Sequence, residues 1–377
     1  MKVFFDSQIF NAQVHGGISR YFTRLIEKLK STQHLKARIG GPSFINEYLS
    51  ESSLIGVSRG YQVHKMFKHP SRLLSHIACH LDLIFNDYSI VHKTYYYPEM
   101  YRTKGAVVIL TVYDMIHEIY PTDQKNTLTL SRRKRRAVEK ADHIICISKN
   151  TKKDLVDIFG VKEQSVSVIY LGFDDFSTKN VEVNHSSVVE DFDEKFLLYV
   201  GGRTGHKNFK RFIEAFSLSS LLKRNYRIIC FGGGSFSDEE KAFFEDLQVS
   251  DRIKQVSGAD DILANFYRNA ELFVYPSLYE GFGIPPLEAM SVGCPVAASN
   301  ASSIPEVCGQ AVKYFNPSDV QSIRDALEYV LSNSVYSEGL VVLGYEQCAK
   351  FSWEKCGKDT LDLYTSVLEN SNRRISC

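Results

Sequence analysis

The chain of 377 residues is longer than a single hydrophobic core usually supports, and 44% hydrophobic and 24% charged residues make an ordinary globular composition, so we expect two domains. A formal net charge of +1 excludes a strong overall attraction to nucleic acid, and no apolar run is long enough to span a membrane. The eight cysteines lack the spacing of a metal site, and the N-terminus lacks the apolar core of a signal peptide, which favours a reduced, cytoplasmic protein.

Short apolar runs that predict buried strands alternate along the chain with amphipathic stretches that predict helices. The predicted strands are Val3–Phe5, Ile90–His92, Val107–Val112, Ile144–Ile147, Val166–Tyr170, Phe196–Val200, Ile228–Phe231, Ile253–Val256, Leu272–Tyr275, Val296–Ala298 and Val312–Phe315. This alternation predicts an α/β protein with parallel sheets and helices on both faces. The polar, acidic stretch Asp174–Glu194 predicts a linker, so we expect one domain over residues 1–175 and a second over 176–356.

A glycine pair, Gly16–Gly17, follows the first predicted strand and opens a predicted helix with Ser19 as its N-cap. Glycine lets a phosphate group come close to the backbone at such a turn, although an ordinary strand–helix turn has the same composition. The spacing differs from the G-x-G-x-x-G pattern of dinucleotide-binding proteins.

The strand Val107–Val112 ends in Tyr113 and Asp114, and His117 follows three residues later. Polar side chains at the carboxyl end of a parallel strand face the ligand crevice in open α/β sheets. We expect Asp114 near a reacting group and Tyr113 or His117 in contact with a sugar, but Asp114 as the cap of a turn is a serious alternative. Ser148, after a later strand, is predicted to be an N-cap.

A dense basic run follows in the next predicted helix. Its residues are Arg132, Arg133, Lys134, Arg135 and Arg136. A solvated helix face is the commonest structure for such a run, and an anionic membrane surface is an alternative, because basic residues bind acidic lipid. Nucleic acid is disfavoured, because no RNA-binding signature accompanies the run.

The second half carries two further polar turns. Arg203 and Lys207 follow the strand Phe196–Val200, where a guanidinium fork and an ammonium charge could neutralise a diphosphate, although solvated surface cations are the usual alternative. Glu280 and Glu288 bracket a turn that contains Gly281, Gly283 and two prolines, which suit the first positions of a helix. A helix N-terminus beside carboxylates offers donors for phosphate and acceptors for sugar hydroxyls.

These turns together resemble the motifs of glycosyltransferase family 4 (GT4). Glu280 and Glu288 match its Glu-x7-Glu motif, residues 202–208 match its Gly-Arg-x-x-x-Lys-Asn pattern, and Gly16–Gly17 is similar to its glycine-rich loop. The resemblance implies the GT-B fold, in which two Rossmann-like domains with parallel sheets face a central cleft, and a C-terminal helix, here about residues 357–377, packs back on the N-terminal domain. The chain departs from the family at Tyr113, where many members have His.

The resemblance further implies a retaining, metal-independent hexosyltransferase without a bound cofactor. Arg203, Lys207 and the helix N-terminus after Pro285 would stabilise the departing diphosphate. Glu280 and the amides near Phe282 and Gly283 would hold the donor sugar. The catalytic positions that it implies are Asp114, Glu280, Arg203 and Lys207. The donor-binding positions are Gly16, Gly17, Tyr113, His117, Gly202, Arg203, Lys207, Ser257 near the base, Glu280, Gly281, Phe282, Gly283, Ile284, and Glu288 at the ribose.

The motifs look most like those of bacterial mannosyltransferases of O-antigen and capsule assembly. GDP-mannose is therefore the first expected donor, and the expected acceptor is a glycan or a polyprenyl-diphosphate-linked glycan, with the protein peripheral at the inner face of the plasma membrane. The alternatives are a UDP-sugar-dependent transferase or 2-epimerase, and a degenerate GT-B protein that binds without catalysis.

Overall fold

A computed structural model of the chain describes residues 1–58, 60–97, 105–121, 124–178 and 194–375. It forms two compact units: unit 1 is Met1–Gly172 with Phe351–Cys377, and unit 2 is Phe173–Lys350. Sequence analysis placed the corresponding domain boundaries at residues 175/176 and 356/357. Most of the acidic stretch predicted as a linker, residues 179–193, lies outside the described residues.

The helices and strands alternate along the whole chain. In the first segment of unit 1, before the chain continues into unit 2, the elements are β1 (Lys2–Phe5), α1 (Gly17–Lys30), β2 (Lys36–Ile39), β3 (Ser43–Phe44), α2 (Glu47–Glu51), α3 (Ile55–Ser58), β4 (Tyr61–Gln62), α4 (Lys68–Phe85), β5 (Ile90–Lys93), β6 (Val107–Val112), α5 (Ile116–Ile119), α6 (Gln124–Glu139), β7 (His143–Cys146), α7 (Lys149–Phe159) and β8 (Val166–Val168). Those of unit 2 are β9 (Phe196–Val200), α8 (Phe209–Ser217), α9 (Ser220–Asn225), β10 (Arg227–Phe231), α10 (Asp238–Asp246), β11 (Ile253–Val256), α11 (Asp260–Asn269), β12 (Leu272–Tyr275), α12 (Ile284–Ser291), β13 (Val296–Ser299), α13 (Ile304–Cys308), β14 (Lys313–Phe315), α14 (Val320–Ser332) and α15 (Ser334–Cys348). The last helix, α16 (Trp353–Ile375), belongs to unit 1.

Unit 1 is built on a six-stranded sheet with the order β2-β1-β5-β6-β7-β8, in which every neighbouring pair is parallel. All six residues of β6 are buried, because helices and loops cover both faces of the sheet, and this explains the continuous apolar run in the sequence. Helix α16 packs against α1, where Lys28 pairs with Glu354. A Cβ atom on Gly357 would lie 2.8 Å from the Lys28 Cβ, so only glycine allows this close approach.

Unit 2 is built on a second six-stranded parallel sheet, with the order β11-β10-β9-β12-β13-β14. Its core is formed by aliphatic and aromatic side chains of the strands and of helices α8 and α14, such as Leu197, Phe212, Val274 and Leu327, all fully buried. The parallel order brings the carboxyl ends of β9, β12 and β13 to one edge of the sheet. The predicted α/β class with two parallel-sheet, Rossmann-like domains is confirmed.

Two predicted helix caps have different outcomes. Ser148 is the N-cap of α7, because its Oγ accepts the Thr151 N–H at 3.0 Å, as predicted. The prediction for Ser19 is wrong, since α1 begins at Gly17, three residues earlier than predicted, and Gly16 is its N-cap. The side chain of Gln13 supplies the missing acceptor, taking the Ser19 N–H on its Oε1 at 3.2 Å.

Candidate active site

The loop after β12 is fastened by two serines from the turn after β13. Glu280 donates its backbone N–H to Ser302 Oγ at 2.9 Å, and Ser303 Oγ donates to the carbonyls of Glu280 and Phe282 at 2.9 and 2.7 Å. Ser302 adopts a left-handed conformation with φ 53° to reach this position. The loop that carries Glu280, Gly281 and Phe282 is therefore held in one shape by neighbours that sequence reasoning did not assign to the site.

Helix α12 begins directly after this loop, with Gly283 as its N-cap at φ 127° and prolines in its first turn, as the sequence predicted. Proline has no N–H group, so Pro285 and Pro286 remove two of the four donors that a helix N-terminus normally presents. The N–H groups of Gly283 and Ile284 are the donors that this turn offers an anion. This helix N-terminus therefore offers an anion fewer N–H donors than sequence reasoning expected.

Lys207 and Glu280 come together in unit 2 although they lie on different loops. Lys207 Nζ donates to Glu280 Oε1 at 2.7 Å, and the two side chains are 28% and 11% exposed. Tyr275, at the end of β12, also interacts with this carboxylate. Burial, followed by the charge and hydrogen bonding of Glu280, raises the pKa of Tyr275 well above its ordinary value. The pair sits at the carboxyl edge of the sheet, where open α/β sheets bind ligands.

Asn208 links the loop that carries Lys207 to the loop that carries Glu280. It has a left-handed backbone at φ 57°, and its Nδ2 donates to the carbonyls of Pro276 and Pro317 at 3.0 and 2.7 Å. A further bond joins the loops, from the Leu278 N–H to the His206 carbonyl at 2.7 Å. Sequence reasoning gave Asn208 no role, although it stands beside Lys207 in the motif, and a polar side chain that follows a conspicuous cation was the available signal.

Arg203 occupies a different environment from Lys207. Its side chain is 4% exposed and donates twice to Glu240, from Nε to Oε1 at 2.7 Å and from Nη2 to Oε2 at 3.2 Å. Nη1 donates to the Gly232 carbonyl at 3.2 Å and Nη2 to the Ser235 carbonyl at 3.1 Å, while the guanidinium lies 4.7 Å from the Phe236 ring centroid. Arg203, which was expected to neutralise a diphosphate, is thus a buried group that joins two loops in this structure, and it is not the solvated surface cation of the alternative.

Glu240 is the partner that sequence reasoning missed. Burial opposes its ionisation, but hydrogen bonds from Arg203 and from the Ser237 N–H outweigh burial and hold the pKa of Glu240 below its ordinary value. Glu240 also closes a capping box with Ser237 at the start of α10. The Ser-x-x-Glu spacing of that box was visible in the sequence, whereas its partner 37 residues away was not.

Three further predicted donor-binding residues of unit 2 make hydrogen bonds of their own. Glu288 lies inside α12 as predicted, is buried, and accepts from the Tyr267 hydroxyl at 3.4 Å on its Oε2. Ser257 lies just beyond β11, where its Oγ accepts from Gln255 Nε2 at 2.7 Å. Gly202 contributes its carbonyl to the Tyr199 hydroxyl.

In unit 1 the glycine pair starts α1. A Cβ atom on Gly16 would overlap the Gln13 side chain at 2.3 Å, whereas a Cβ on Gly17 would meet nothing within 4 Å. A side chain at position 16 would therefore displace the Gln13 amide from its capping position. Gly17 faces open space, so a ligand can approach its backbone.

Tyr113 is buried within an aromatic cluster in unit 1. Its hydroxyl donates to the Thr94 carbonyl at 3.3 Å, and its ring centroid lies 6.0 Å from that of Tyr21. Burial raises the pKa of Tyr113 well above its ordinary value. Tyr113 is thus a core residue at this strand end, and its contact with a sugar stays a prediction.

Asp114 does cap a turn, which was the alternative role. The Ile116 N–H donates to Asp114 Oδ1 at 3.1 Å, and Lys134 Nζ donates to the Asp114 carbonyl at 2.9 Å. His117 lies half-buried on α5, and within the described part of the chain its Nδ1 is buried without a hydrogen bond. Asp114 and His117 thus share one short, anchored turn at the end of β6.

Lys134 contradicts the interpretation of the basic run as a uniformly solvated or membrane-facing surface. Its side chain is 1% exposed and donates to Glu118 Oε2 at 2.8 Å as well as to Asp114. Arg135 is also engaged, since it stacks 4.3 Å from the Phe159 ring centroid and donates to the last carbonyls of α7. Arg133 lies over the ring of Tyr97. Arg132 and Arg136 are exposed, so only part of the run is a surface.

Two general features were searched over the described residues. There, no group of three or more His, Cys, Asp or Glu side chains is arranged to hold a metal ion. In the same part of the chain, no helix is long and apolar enough to cross a membrane.

Comparison with known proteins places the chain in a family. A model described as "Glycosyltransferase Family 4" matches residues 15–175, and one described as "Glycosyl transferases group 1" matches residues 180–346. The serotype-specific mannosyltransferase WbdA of Escherichia coli is 30% identical over 250 residues, which are 62% of this chain and 30% of the relative. This chain thus spans less than a third of the length of WbdA. The O-antigen chain mannosyltransferase B of Escherichia coli is 26% identical over 97% of this chain and 99% of its own length.

Solved structures agree on the fold. Sucrose-phosphate synthase from Thermosynechococcus elongatus superposes with a TM-score of 0.74 at 19% identity, covering 98% of this chain and all of that chain. WaaG, a glycosyltransferase involved in lipopolysaccharide biosynthesis, superposes with a TM-score of 0.70 at 16% identity, covering 97% of this chain and all of its own. The two family models, which cover both halves of the sequence, show that the chain belongs to glycosyltransferase family 4, and the solved structures show that it has the GT-B fold.

Proposed function

We propose that the protein is a retaining hexosyltransferase that transfers mannose from GDP-mannose to a hydroxyl group of a glycan or lipid-linked acceptor. The family models and the names of the mannosyltransferase relatives support glycosyl transfer, and the relatives support mannose as the first donor sugar. We place the reaction in the assembly of a bacterial surface polysaccharide at the cytoplasmic side of the membrane. It requires no metal ion in this proposal.

The Lys207–Glu280 pair is the observation that carries the proposal. Its 2.7 Å contact uses one of the three ammonium donors, and Lys207 is exposed enough for the others to reach a phosphate oxygen. Glu280 in turn offers carboxylate oxygens to sugar hydroxyls. The N–H groups of Gly283 and Ile284 supply further donors at the same loop, so one small region can hold both halves of a nucleotide-sugar.

The proposed chemistry is a substitution at the anomeric carbon. The bond from that carbon to the diphosphate oxygen breaks, and the acceptor oxygen forms the new bond on the same face. The acceptor proton passes to the departing phosphate oxygen. Lys207 and the two N–H groups stabilise the negative charge that grows on this oxygen, and stabilisation of this kind is usually the largest single contribution to catalysis.

Other residues keep narrower proposed roles. In unit 2, Glu288 would accept from the ribose hydroxyls and Ser257 lies near the base, while Arg203 supports the site through Glu240 and the loop that follows β10. In unit 1, Asp114 and His117 would act close to the reacting sugar. The backbone at Gly17 would approach the donor phosphates.

A UDP-sugar donor is the second candidate. It is favoured by one observation, namely that the structurally similar HepE of Anabaena was solved in complex with UDP-glucose, with a TM-score of 0.72 at 14% identity. The same Lys207–Glu280 geometry would serve a UDP-sugar, because the diphosphate and the sugar hydroxyls present the same groups.

Nucleotide binding distinguishes the donors. The melting temperature of the purified protein would be measured with GDP, UDP, ADP and dTDP, with and without EDTA. We expect selective stabilisation by GDP that EDTA leaves unchanged and that Lys207→Ala abolishes. Selective stabilisation by UDP would replace the donor, and stabilisation lost on adding EDTA would contradict metal independence.

A further inference from the structure

Two arginines from different helices meet in one cavity of unit 1. The cavity has a volume of about 390 Å³, which suits a small ligand. Its lining includes Asp6, Gln8, Arg72, Leu73, Tyr97 and Arg133. Arg72 comes from α4, and Arg133 comes from the basic run of α6. One member of that run therefore lines a cavity, which the sequence did not predict.

The cavity lies at the carboxyl edge of the sheet of unit 1. Asp6 follows β1 and Tyr97 follows β5, and these two strands are neighbours in the sheet. Open α/β sheets bind ligands at this edge. Strand β6 pairs with β5 and ends at Asp114, whose carbonyl accepts from Lys134, the residue next to Arg133. Helix α6 thus contributes both to the cavity and to the turn of Asp114.

Tyr97 is the platform for both arginines. The guanidinium carbons of Arg72 and Arg133 lie 4.8 Å and 5.4 Å from the centroid of its ring. Gln8 fixes this platform, because the Tyr97 N–H donates to Gln8 Oε1 at 2.9 Å and Gln8 Nε2 donates to the Tyr97 carbonyl at 3.4 Å. Stacking on an aromatic face holds a guanidinium group and leaves its N–H donors at the edge. The two cations are therefore positioned before a ligand binds.

The charges in the cavity favour an anion. Within the described part of the chain, neither Arg72 nor Arg133 forms an ion pair with a carboxylate. Asp6 is 1% exposed, and its Oδ1 already accepts the N–H groups of Gln8 at 3.1 Å and Thr94 at 3.2 Å. Two guanidinium groups against one ring repel each other, and a phosphate between them would offset this repulsion with charge-assisted hydrogen bonds.

We infer that this cavity binds a sugar phosphate, namely the phosphate-bearing end of the acceptor. The inference rests on the proposed transfer reaction and makes that acceptor anionic. Arg72 and Arg133 would donate to the phosphate oxygens, and the sugar would fill the remaining space beside Leu73. A free phosphate ion fits less well, because the cavity is much larger than that ion. A neutral glycan would leave both guanidinium groups without an anionic partner.

Isothermal titration calorimetry of the purified chain tests the inference. The probes would be glucose 1-phosphate, methyl α-glucoside, glycerol 1-phosphate and inorganic phosphate. We expect glucose 1-phosphate to bind at least about tenfold more tightly than the other three, because only this probe supplies both the charge and the ring. Arg72→Gln and Arg133→Gln should each weaken its binding about tenfold, since each removes charge-assisted hydrogen bonds.

Three matched controls locate the binding site. Arg132→Gln removes the exposed neighbour of Arg133 on α6, and Lys68→Gln removes a cation one turn before Arg72 on α4. Lys207→Ala alters the proposed donor site in unit 2. All three should bind glucose 1-phosphate like the parent protein. Unchanged melting temperatures would show that the variants are folded.

Several results would overturn the inference. The parent protein could fail to bind glucose 1-phosphate, or Arg72→Gln and Arg133→Gln could bind it as tightly as the parent does. Equal affinity for inorganic phosphate would indicate a free anion, equal affinity for glycerol 1-phosphate a lipid headgroup, and equal affinity for methyl α-glucoside a neutral sugar. Loss of binding in Lys207→Ala would place the probe in the donor site.

The same protein preparation separates this inference from the proposed function. Stabilisation by GDP without binding of glucose 1-phosphate would contradict the assignment of the cavity and leave the proposed donor site intact. Binding of glucose 1-phosphate without stabilisation by any nucleotide would contradict the transferase reaction, and with it the assignment of the bound sugar phosphate as an acceptor.

Discussion

At the residue scale, the two cations of one motif have unequal surroundings. Lys207 is partly exposed and touches Glu280, whereas Arg203 is buried with nearly all of its donors committed to Glu240 and to backbone carbonyls. A buried ion pair with this many hydrogen bonds fixes structure, because removing one partner leaves the other charge uncompensated. We therefore expect mutation of Lys207 to act on turnover and mutation of Arg203 to act on folding.

Lys207→Ala should lower kcat by about 100-fold or more, because one group that stabilises the developing charge is lost. The melting temperature should hardly change, since the Lys207–Glu280 pair is partly exposed and screened by solvent. Steady-state kinetics and thermal melting check both expectations. Lys210→Ala is the matched control, because Lys210 pairs with Glu239 at the same 2.7 Å on the exposed side of α8. Equal turnover of the parent and Lys207→Ala would remove Lys207 from the mechanism.

Arg203→Ala should lower the free energy of unfolding by about 3 kcal/mol, as expected when a buried ion pair loses one partner. Glu240→Gln should lower it by a smaller amount, because an amide keeps part of the hydrogen bonding. Urea unfolding gives both values. Tighter nucleotide binding by Glu240→Gln would contradict a supporting role, since it would mean that releasing Arg203 makes it a phosphate ligand.

At the element scale, the C-terminal helix is tied to the sheet of unit 1 by a buried histidine. His92 on β5 has Nδ1 2.5 Å from the Tyr364 hydroxyl on α16 and Nε2 2.8 Å from Thr111 Oγ1 on β6. Burial lowers the pKa of His92 to about 3. The histidine is thus neutral in the folded protein and accepts a proton in the acid range only when the chain unfolds.

This arrangement predicts acid sensitivity of unit 1. In the unfolded chain a histidine has a pKa of about 6.5, so below that pH the unfolded state binds one proton more than the folded state. The free energy of unfolding should be fully present above about pH 6.5 and fall by up to about 1.4 kcal/mol per pH unit below it. His143, whose pKa burial also lowers, adds in the same direction.

Fluorescence of Trp353 is a suitable probe, because it is the single tryptophan of the chain and is buried at the start of α16. Urea midpoints would be compared between about pH 7.5 and about pH 5 for the parent and His92→Gln. The variant should lose less stability on acidification than the parent, whereas His69→Gln, at an exposed site on α4, should behave like the parent. A pH dependence of His92→Gln equal to that of the parent would contradict the assignment.

At the scale of the whole molecule, the parallel sheets could be predicted because their central strands are continuous apolar runs. The edge strand β2 could not, since its sequence Lys-Ala-Arg-Ile is half polar and only Ile39 is buried. Its position depends on pairing with β1, which is a tertiary property. The start of α1 was misplaced for a similar reason, because the cap comes from Gln13, outside the local cap pattern.

The candidate site was predictable where its residues are close in sequence. Motif spacing placed Glu280 and Lys207 at strand ends, but not their contact across 73 residues. The partners Glu240 and Ser303 come from other loops and carry no local signal of their roles. The position of Lys134 was predicted wrongly because its neighbours in sequence indicate an exposed surface. The side chain of Lys134 instead turns inward to Glu118.

The most direct test of the proposed function is a transfer assay with mass spectrometry of the acceptor. Purified protein would be incubated with GDP-mannose, with UDP-glucose or with UDP-galactose, together with a bacterial lipid extract and EDTA. We predict that GDP-mannose alone adds a hexose mass to a lipid-linked acceptor and releases GDP, and that Lys207→Ala abolishes both products. Release of a nucleoside diphosphate without any glycosylated acceptor, or no consumption of any donor, would contradict hexosyl transfer by this protein.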